Sequence, residues 1–549
     1  MSLDLRALKY RHYTYLFCFF ALLFCACHND AWRDQRHIFN YNQASGVSST
    51  DPAFASLQSN IWVVNQIYNG LLETDSNLNV IPALARSYQI SDDGKRYTFH
   101  LRTDVFFHDD SCFASHKGRR FNAGDVVYSF KRLIDPKTAA KGAWVFNDKV
   151  DPTHPFVALN DSTVEIRLLR PFPALPGILT MQYCFIVPQE AVEKYGKQFR
   201  AHPVGTGPFR FSFWREGELM VLKKNMNYFE RDQQGNRLPY LDAVRISFID
   251  SKATEFLKFK LNELDVIVDL DAGLKDEVLT RSGQLKAPYQ NRFRLIRKPY
   301  LNTEYFGVNL ELASKTNSPL ADVRIRKAIN KAIHKKELIT YLRNGVGLPA
   351  LHGFVAPGIA GYRTGQLPVD AYDVDAARAL LKESGYDATH PLPEIVVACN
   401  SANEALCLFI ANQLKQAGIT LRVEVMQGKA LNERMVKGDV LLFKASWIAD
   451  YPDPESFLAV CYGGYAAPPN YTRFRNREFD VKYNLSMMQS DDILRYQTYM
   501  DMDRILSEEQ ALIPLYYDET LDFVQHNIVG LSPNALNLLN LKTVKKIDQ

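Results

Sequence analysis

Between Glu394 and Val425 the chain passes from an apolar strand pattern through an amphipathic helix to a second apolar strand, and this order constrains the fold more than any other feature. Glu394 to Ala398 reads as a strand, Glu404 to Ala417 as a helix stopped at Gly418, and Ile419 to Val425 as a strand. Two strands joined through a helix lie parallel in one sheet, so an α/β architecture is expected. Upstream, Asp375 to Lys382 reads as a helix ended at Gly385. Asp322 caps another, whose apolar positions Ile325, Ala328, Ile329, Ala332 and Ile333 keep helical spacing, while Arg326, Lys327, Lys331 and Lys335 read as its solvated face. A length of 549 residues exceeds what a single core supports, so several lobes are expected. No repeat or low-complexity linker separates them. The lobes should therefore arise from chain crossings, with Glu304 to Asn309 as the strand entering a second lobe and Leu512 to Tyr517 as a return strand.

The first 26 residues read as a sorting signal, with basic Lys9 and Arg11, an apolar core from Leu16 to Phe24, and Cys25-Ala26 before Cys27. The apolar run is too short for a stable membrane span. Without this leader the net charge of +4 falls to about +2, because Arg6, Lys9, Arg11 and Asp4 leave with it. A nearly neutral chain offers no electrostatic footing for nucleic acid. Apart from Cys27 at the leader's end, five cysteines remain, Cys112, Cys184, Cys399, Cys407 and Cys461, an odd set that leaves at least one thiol unpaired; a Cys399–Cys407 bridge is open. Neither a CxxC pair nor a His cluster at zinc spacing is present, so no metal or cofactor is expected. Nucleotide loops, GxSxG elbows and HExxH helices are likewise missing, and the pairs Asp92-Asp93 and Asp109-Asp110 fall in turns, which argues against an enzyme.

The run Trp447-Ile-Ala-Asp-Tyr-Pro-Asp-Pro-Glu-Ser-Phe-Leu458 places Asp450 just beyond a short apolar strand, Val440 to Phe443, where Pro452 and Pro454 forbid a regular ladder. Asp453 and Glu455 read as turn and helix-start residues. Earlier blocks are the Asp93-Gly94 hairpin between Ser87–Ile90 and Tyr97–Leu101, the helix opening after Asn122, and Gly205-Thr-Gly-Pro-Phe209 leading into a strand. In order and spacing, from about Asn40 to Leu541, these blocks resemble the oligopeptide- and dipeptide-binding receptors of bacterial ABC importers, extracytoplasmic solute-binding proteins of family 5. Asp110 departs from the Gly usual after Phe-His-Asp, and Ser111 to Gly118 reads as a local insertion.

The resemblance implies a two-lobed periplasmic-binding-protein fold of α/β class, with an extra subdomain in the first lobe and the ligand cleft between lobes. Its expected divisions are a signal peptide at 1–26 with lipoprotein-type cleavage before Cys27, lobe I at 27–300 including a subdomain at about 72–200, lobe II at 301–515, and a return segment at 516–549 completing lobe I. It implies that Asp450 pairs with the ligand's α-ammonium. Backbone groups near Tyr305 to Asn309 and Ala445 to Trp447 would pair with a peptide as an added strand, and Trp447 would line a side-chain pocket. Lys444 stands where oligopeptide-binding members carry Arg, so its ammonium would meet the ligand carboxylate, or else it is a surface residue at a strand edge. The implied partners are a peptide, importer permease subunits with a separate ATPase, and the membrane through lipidated Cys27. The chain would work as a monomer in the cell envelope, facing the periplasm or exterior. A receptor of the same fold for a nickel chelate, haem or an oligosaccharide, or a sensing or adhesion lipoprotein, stays open.

Overall fold

The computed structural model describes residues 37–547; the leader and Cys27 lie outside them. Strands Ile395–Asn400 and Leu421–Met426 pair in parallel, joined by helix Glu404–Leu414, whose last turn tightens over Lys415–Ala417 before Gly418 takes φ +83°. They begin an 11-stranded sheet. Its main path continues through Leu442–Ile448, Phe293–Val308, Leu512–Gln525, Val266–Val268, Ile38–Asn42, Ala243–Ser247, Leu219–Lys224 and Phe209–Arg215. A separate four-stranded antiparallel sheet holds Ala85–Ile90, Arg96–Leu101, Thr163–Arg167 and Phe156–Asn160. Helix Ala123–Ile134 packs on it, capped by Asn122 and Asp125 in a reciprocal box.

Phe293–Val308 and Leu512–Gln525 are the long strands that cross between lobes. Their ladder slips twice, between Pro299–Glu519 and Thr303–Tyr517 and again between Glu304–Tyr516 and Tyr305–Pro514. Pro299 and Pro514 have no N–H to donate, so pairing is interrupted where the chain passes from one lobe to the other. Buried-facing side chains alternate with period two in lobe II. Phe306, Val308, Val397, Cys399 and Leu442 pack against the helices Val323–Lys331 and Glu404–Leu414. On the other face, Tyr305, Ala398 and Phe443 pack toward the helical pair Arg477–Ser486 and Asp492–Glu509. All five described cysteines are free thiols, so Cys399 and Cys407 are not bridged. No helix among the described residues is long and apolar enough to cross a membrane.

The helix after Asp322 corrects one expectation. It ends at Lys331, a second helix starts at Lys335, and the cationic side is not uniformly solvated. Arg326 is buried and donates to the carbonyls of Leu320, Ala321 and Glu509 at 2.7–2.9 Å. Lys335 is buried with Nζ donating to Ala350 O at 2.7 Å, and burial pulls its pKa down to about 8. Both cations terminate backbone segments of lobe II.

The Gly205-Thr-Gly turn is explained by contact with a helix end. Gly207 N donates to Ile67 O at 2.8 Å, His108 N donates to Gly205 O at 2.8 Å, and Thr206 Oγ1 bonds Asn69 at 3.0 Å. A Cβ at Gly205 or Gly207 would overlap the Ile67 carbonyl, which is backbone and cannot swing aside. Gly205→Ala is therefore expected to cost about 2–3 kcal/mol, seen as a lower urea midpoint at unchanged slope. Gly428→Ala, at a helix position with nothing within 4 Å, should be neutral or slightly stabilising.

Candidate functional site

Strand Leu442–Ile448 carries Lys444, Ala445 and Trp447 and leads to Asp450. On one side it pairs with Phe293–Val308 from Asn302–Ile448 to Val308–Leu442. On the other side only Leu442 and Phe443 find partners, in Val397 and Ala398, so from Lys444 to Ile448 the second edge has no ladder among the described residues. An edge of unpaired N–H and C=O groups accepts an extended chain as an added strand. The Tyr305–Val308 backbone offers no such edge, because it lies in ladders with Leu442–Ile448 on one side and Leu512–Gln525 on the other. Of the two strand segments expected to grip a ligand backbone, only Ala445–Trp447 remains free to do so. Tyr305 is buried with its ring against Phe354, and Asn309 is spent as a helix cap, accepting from Leu312 N at 3.0 Å and donating to Gly438 O at 3.1 Å.

Beyond Ile448 the chain turns into a locked loop. Half-buried Trp447 donates through Nε1 to Ser456 O at 2.7 Å, and Asp450 N donates to Ser456 Oγ at 3.1 Å. Asp453 caps the turn by accepting from Glu455 N at 2.9 Å and is itself held by buried Arg495 at 2.7 Å. Glu455, buried, accepts hydrogen bonds from the hydroxyls of Tyr451 and Tyr483. Tyr451 reaches into the lobe I core, next to Gly177, and so ties the loop to the opposite lobe.

Asp450 is the exception in this loop. Its carboxylate meets no cation and no hydrogen-bond donor among the described residues, although it reaches solvent. The residue is exposed, yet the protein atoms crowded around its carboxylate cost it hydration, and this, with the like charge of Glu455, pushes its pKa up to about 6. The field of Asp450 reaches Tyr183 on lobe I, which, mainly by burial and partly by that charge, is raised to about 12. Tyr183 packs edge-on to Trp144 at 6.5 Å and lies over Gly142, where a Cβ would collide with its ring. Nothing in the local sequence around Tyr183 or Trp144 marks them; only the fold brings them opposite Asp450.

Lys444 departs from both of its readings. It is neither a surface residue nor open to a ligand: its side chain is 1% exposed, paired with Glu304, and donates to Ala445 O at 2.8 Å. A groove of about 1310 Å³ also opens between the Asp93-Gly94 hairpin and lobe II residues such as Arg363 and Tyr496. The carboxylates Asp453 and Asp492 on its wall are paired with Arg495.

Two lobes joined by crossing strands, with a solvent-reaching carboxylate at a strand end between them, define a two-lobed periplasmic binding protein. Residues 79–468 match the family model of bacterial extracellular solute-binding proteins, family 5, and the chain belongs to that family. It is 28% identical over 519 residues to a probable deoxycholate-binding periplasmic protein of Escherichia coli, covering 90% of each chain. It is also 28% identical over 496 residues to the glutathione-binding protein of Salmonella choleraesuis, covering 88% of this chain and 90% of that one. It superposes on the unliganded open form of the periplasmic murein tripeptide binding protein MppA with a TM-score of 0.79 at 21% identity, over 94% and 98% of the two chains.

The Lys444–Glu304 pair yields a stability test. Removing one member leaves the other charged and buried, so Glu304→Ala is expected to lose about 3–5 kcal/mol in urea titration. Replacing both, Lys444→Met with Glu304→Leu, should recover most of that loss, because neither charge then needs a partner.

Proposed function

We propose that this chain is a peptide receptor of an ABC importer. A peptide lies along the open edge of Leu442–Ile448, its α-ammonium on Asp450, the lobes close about the crossing strands, and a membrane permease with a separate ATPase takes the ligand from the closed form. The observation that carries the reading is the Asp450 carboxylate: it stands without a partner beside a strand edge that also lacks one. Both are groups that every peptide can satisfy and that do not depend on its side chains. Relatives named for glutathione and murein tripeptide support a peptide-like solute. Deoxycholate carries a carboxylate and no amine, and it would bring like charge to Asp450. Anchoring through Cys27 belongs to the same proposal: Cys27→Ser should move the protein from the membrane fraction to the soluble envelope fraction, and retention of the variant on membranes would refute it.

The main test follows from the charge. Breaking a desolvated ion pair costs several kcal/mol, so Asp450→Asn should weaken peptide binding by at least about a hundredfold in calorimetry. N-acetylation of the peptide should cost the native protein a similar factor and the variant little more. The sign of the pH dependence follows from the raised pKa. The ligand's ammonium needs ionised Asp450, the free protein takes up a proton as pH falls through about 6, and affinity should drop about tenfold from pH 7 to pH 5. In Asp450→Asn this loss should vanish. Equal binding of acetylated and free peptides would overturn the ammonium assignment.

A further inference from the structure

With Lys444 closed off by Glu304, the carboxylate end of a peptide must find another cation. Around the strands that form the floor of the cleft three cations are held by carboxylates, Arg343 by Asp518, Arg297 by Glu519 and Arg495 by Asp453, while Arg294 and Lys298 donate to Ile528 O and Ser532 Oγ. Two cations without a carboxylate partner lie side by side on lobe I. Val150 and Leu168 form an antiparallel bridge and Leu169 N donates to Lys149 O at 2.8 Å, which sets Lys149 and Arg170 on neighbouring segments. No carboxylate among the described residues lies within ion-pair distance of either. Lys149 is half-buried; its Nζ donates to Trp144 O at 2.9 Å and sits 5.8 Å from the Trp144 ring centre and 5.7 Å from that of Phe172. Trp144 in turn abuts Tyr183, the lobe I residue within the field of Asp450. Tyr183, Trp144 and Lys149 thus form a continuous, partly exposed wall that starts opposite Asp450 and ends in an ammonium.

We infer that Lys149, with Arg170 beside it, binds the carboxylate of the peptide whose ammonium Asp450 holds, so that the receptor reads both ends of a short zwitterionic peptide. The inference rests on the peptide reading above and adds length and charge selection to it. From the Tyr183 ring to Lys149 Nζ is at most about 12 Å along this wall, which at about 3.3 Å per residue suits peptides of roughly three to four residues, with five as the upper test length. The nearby lobe II carboxylate, Glu455, is occupied by two tyrosine hydroxyls and its pKa is raised by burial, which weakens its competition for Lys149. Burial also draws the Lys149 pKa down, a penalty that an arriving carboxylate relieves. Because the two anchors belong to different lobes, a ligand with both charges ties the lobes together, and one lacking either does not.

Calorimetry with alanine peptides of three to five residues tests this on the full receptor, each peptide as free acid, C-terminal amide and N-acetyl form. Amidation should weaken binding to the native protein by about tenfold to a hundredfold, the range of a charge-assisted hydrogen bond. Lys149→Met should weaken the free acid by a similar factor and leave the amide nearly unchanged, while Lys149→Arg should keep the preference for the acid. Equal losses for acid and amide in Lys149→Met, or no native preference for the acid, overturn the inference. N-acetylation separates the two readings: if it weakens binding while amidation does not, only the carboxylate assignment fails, whereas if it has no effect the ammonium reading itself fails. Failure of every alanine peptide to bind would refute the short-peptide selection.

Discussion

The ladder between Phe293–Val308 and Leu512–Gln525 is the constraint on which the rest depends, because it makes one sheet of two lobes. A continuous sheet holds its flanking elements in fixed register, and the two slips at Pro299 and Pro514 are where that register is relaxed. Arg343–Asp518 and Arg297–Glu519 bridge the same region. Rotation of one lobe on the other would bend strands at pairs already lost to proline and would leave the intact ladders on either side undisturbed. The Trp447–Leu458 loop lies one strand away from this region, so a small rotation there would change the distance between Asp450 and Tyr183 and would also act on Tyr451, which the loop buries in the lobe I core.

What the sequence made legible follows the reach of the interactions involved. The parallel strand pair, its helix and the Gly418 stop depend on periodicity and local capping, and they stand where the pattern put them. The loop around Asp450 is legible for the same reason: Trp447 to Ser456 and Asp453 to Glu455 are bonds across nine residues or fewer. Lys444 was not legible, because its meaning depends on Glu304, 140 residues away. Nor was the Arg326 and Lys335 face, where a helical wheel assigns long cations to water and cannot see carbonyls arriving from Glu509 and Ala350. The Tyr183–Trp144–Lys149 wall belongs to the same class, being assembled from loops whose composition is ordinary.

Four cations near the floor of the cleft are neutralised by carboxylates. Lys444, Arg297, Arg343 and Arg495 are each held by a carboxylate, and three of the four lie beside the crossing strands. Such pairs add little net stability against apolar substitutes, but they fix orientation, since each charge is costly in any other position. The effect is to remove competing charges from the region and leave Asp450 as an anion without a counter-ion. Lost hydration and the like charge of Glu455 raise its pKa, and an ammonium brought beside it would relieve that cost.

Relatives of similar identity carry names for a bile acid and for glutathione, so the shared frame does not choose the solute. On the peptide reading, the common part of recognition, the open edge at Lys444–Ile448, is backbone and is indifferent to side chains. Selection would then come from what borders the edge: Asp450 at its end, and the aromatic and cationic wall that lobe I presents across from it. Those residues are contributed by loops, which change composition without disturbing the sheet, whereas Glu304 and Lys444 are strand residues whose replacement the sheet would register. A division of labour between a rigid strand edge and replaceable loop walls would account for one architecture serving unlike solutes, and on the peptide reading it puts the chemistry particular to this chain on Asp450 and on the lobe I wall opposite it.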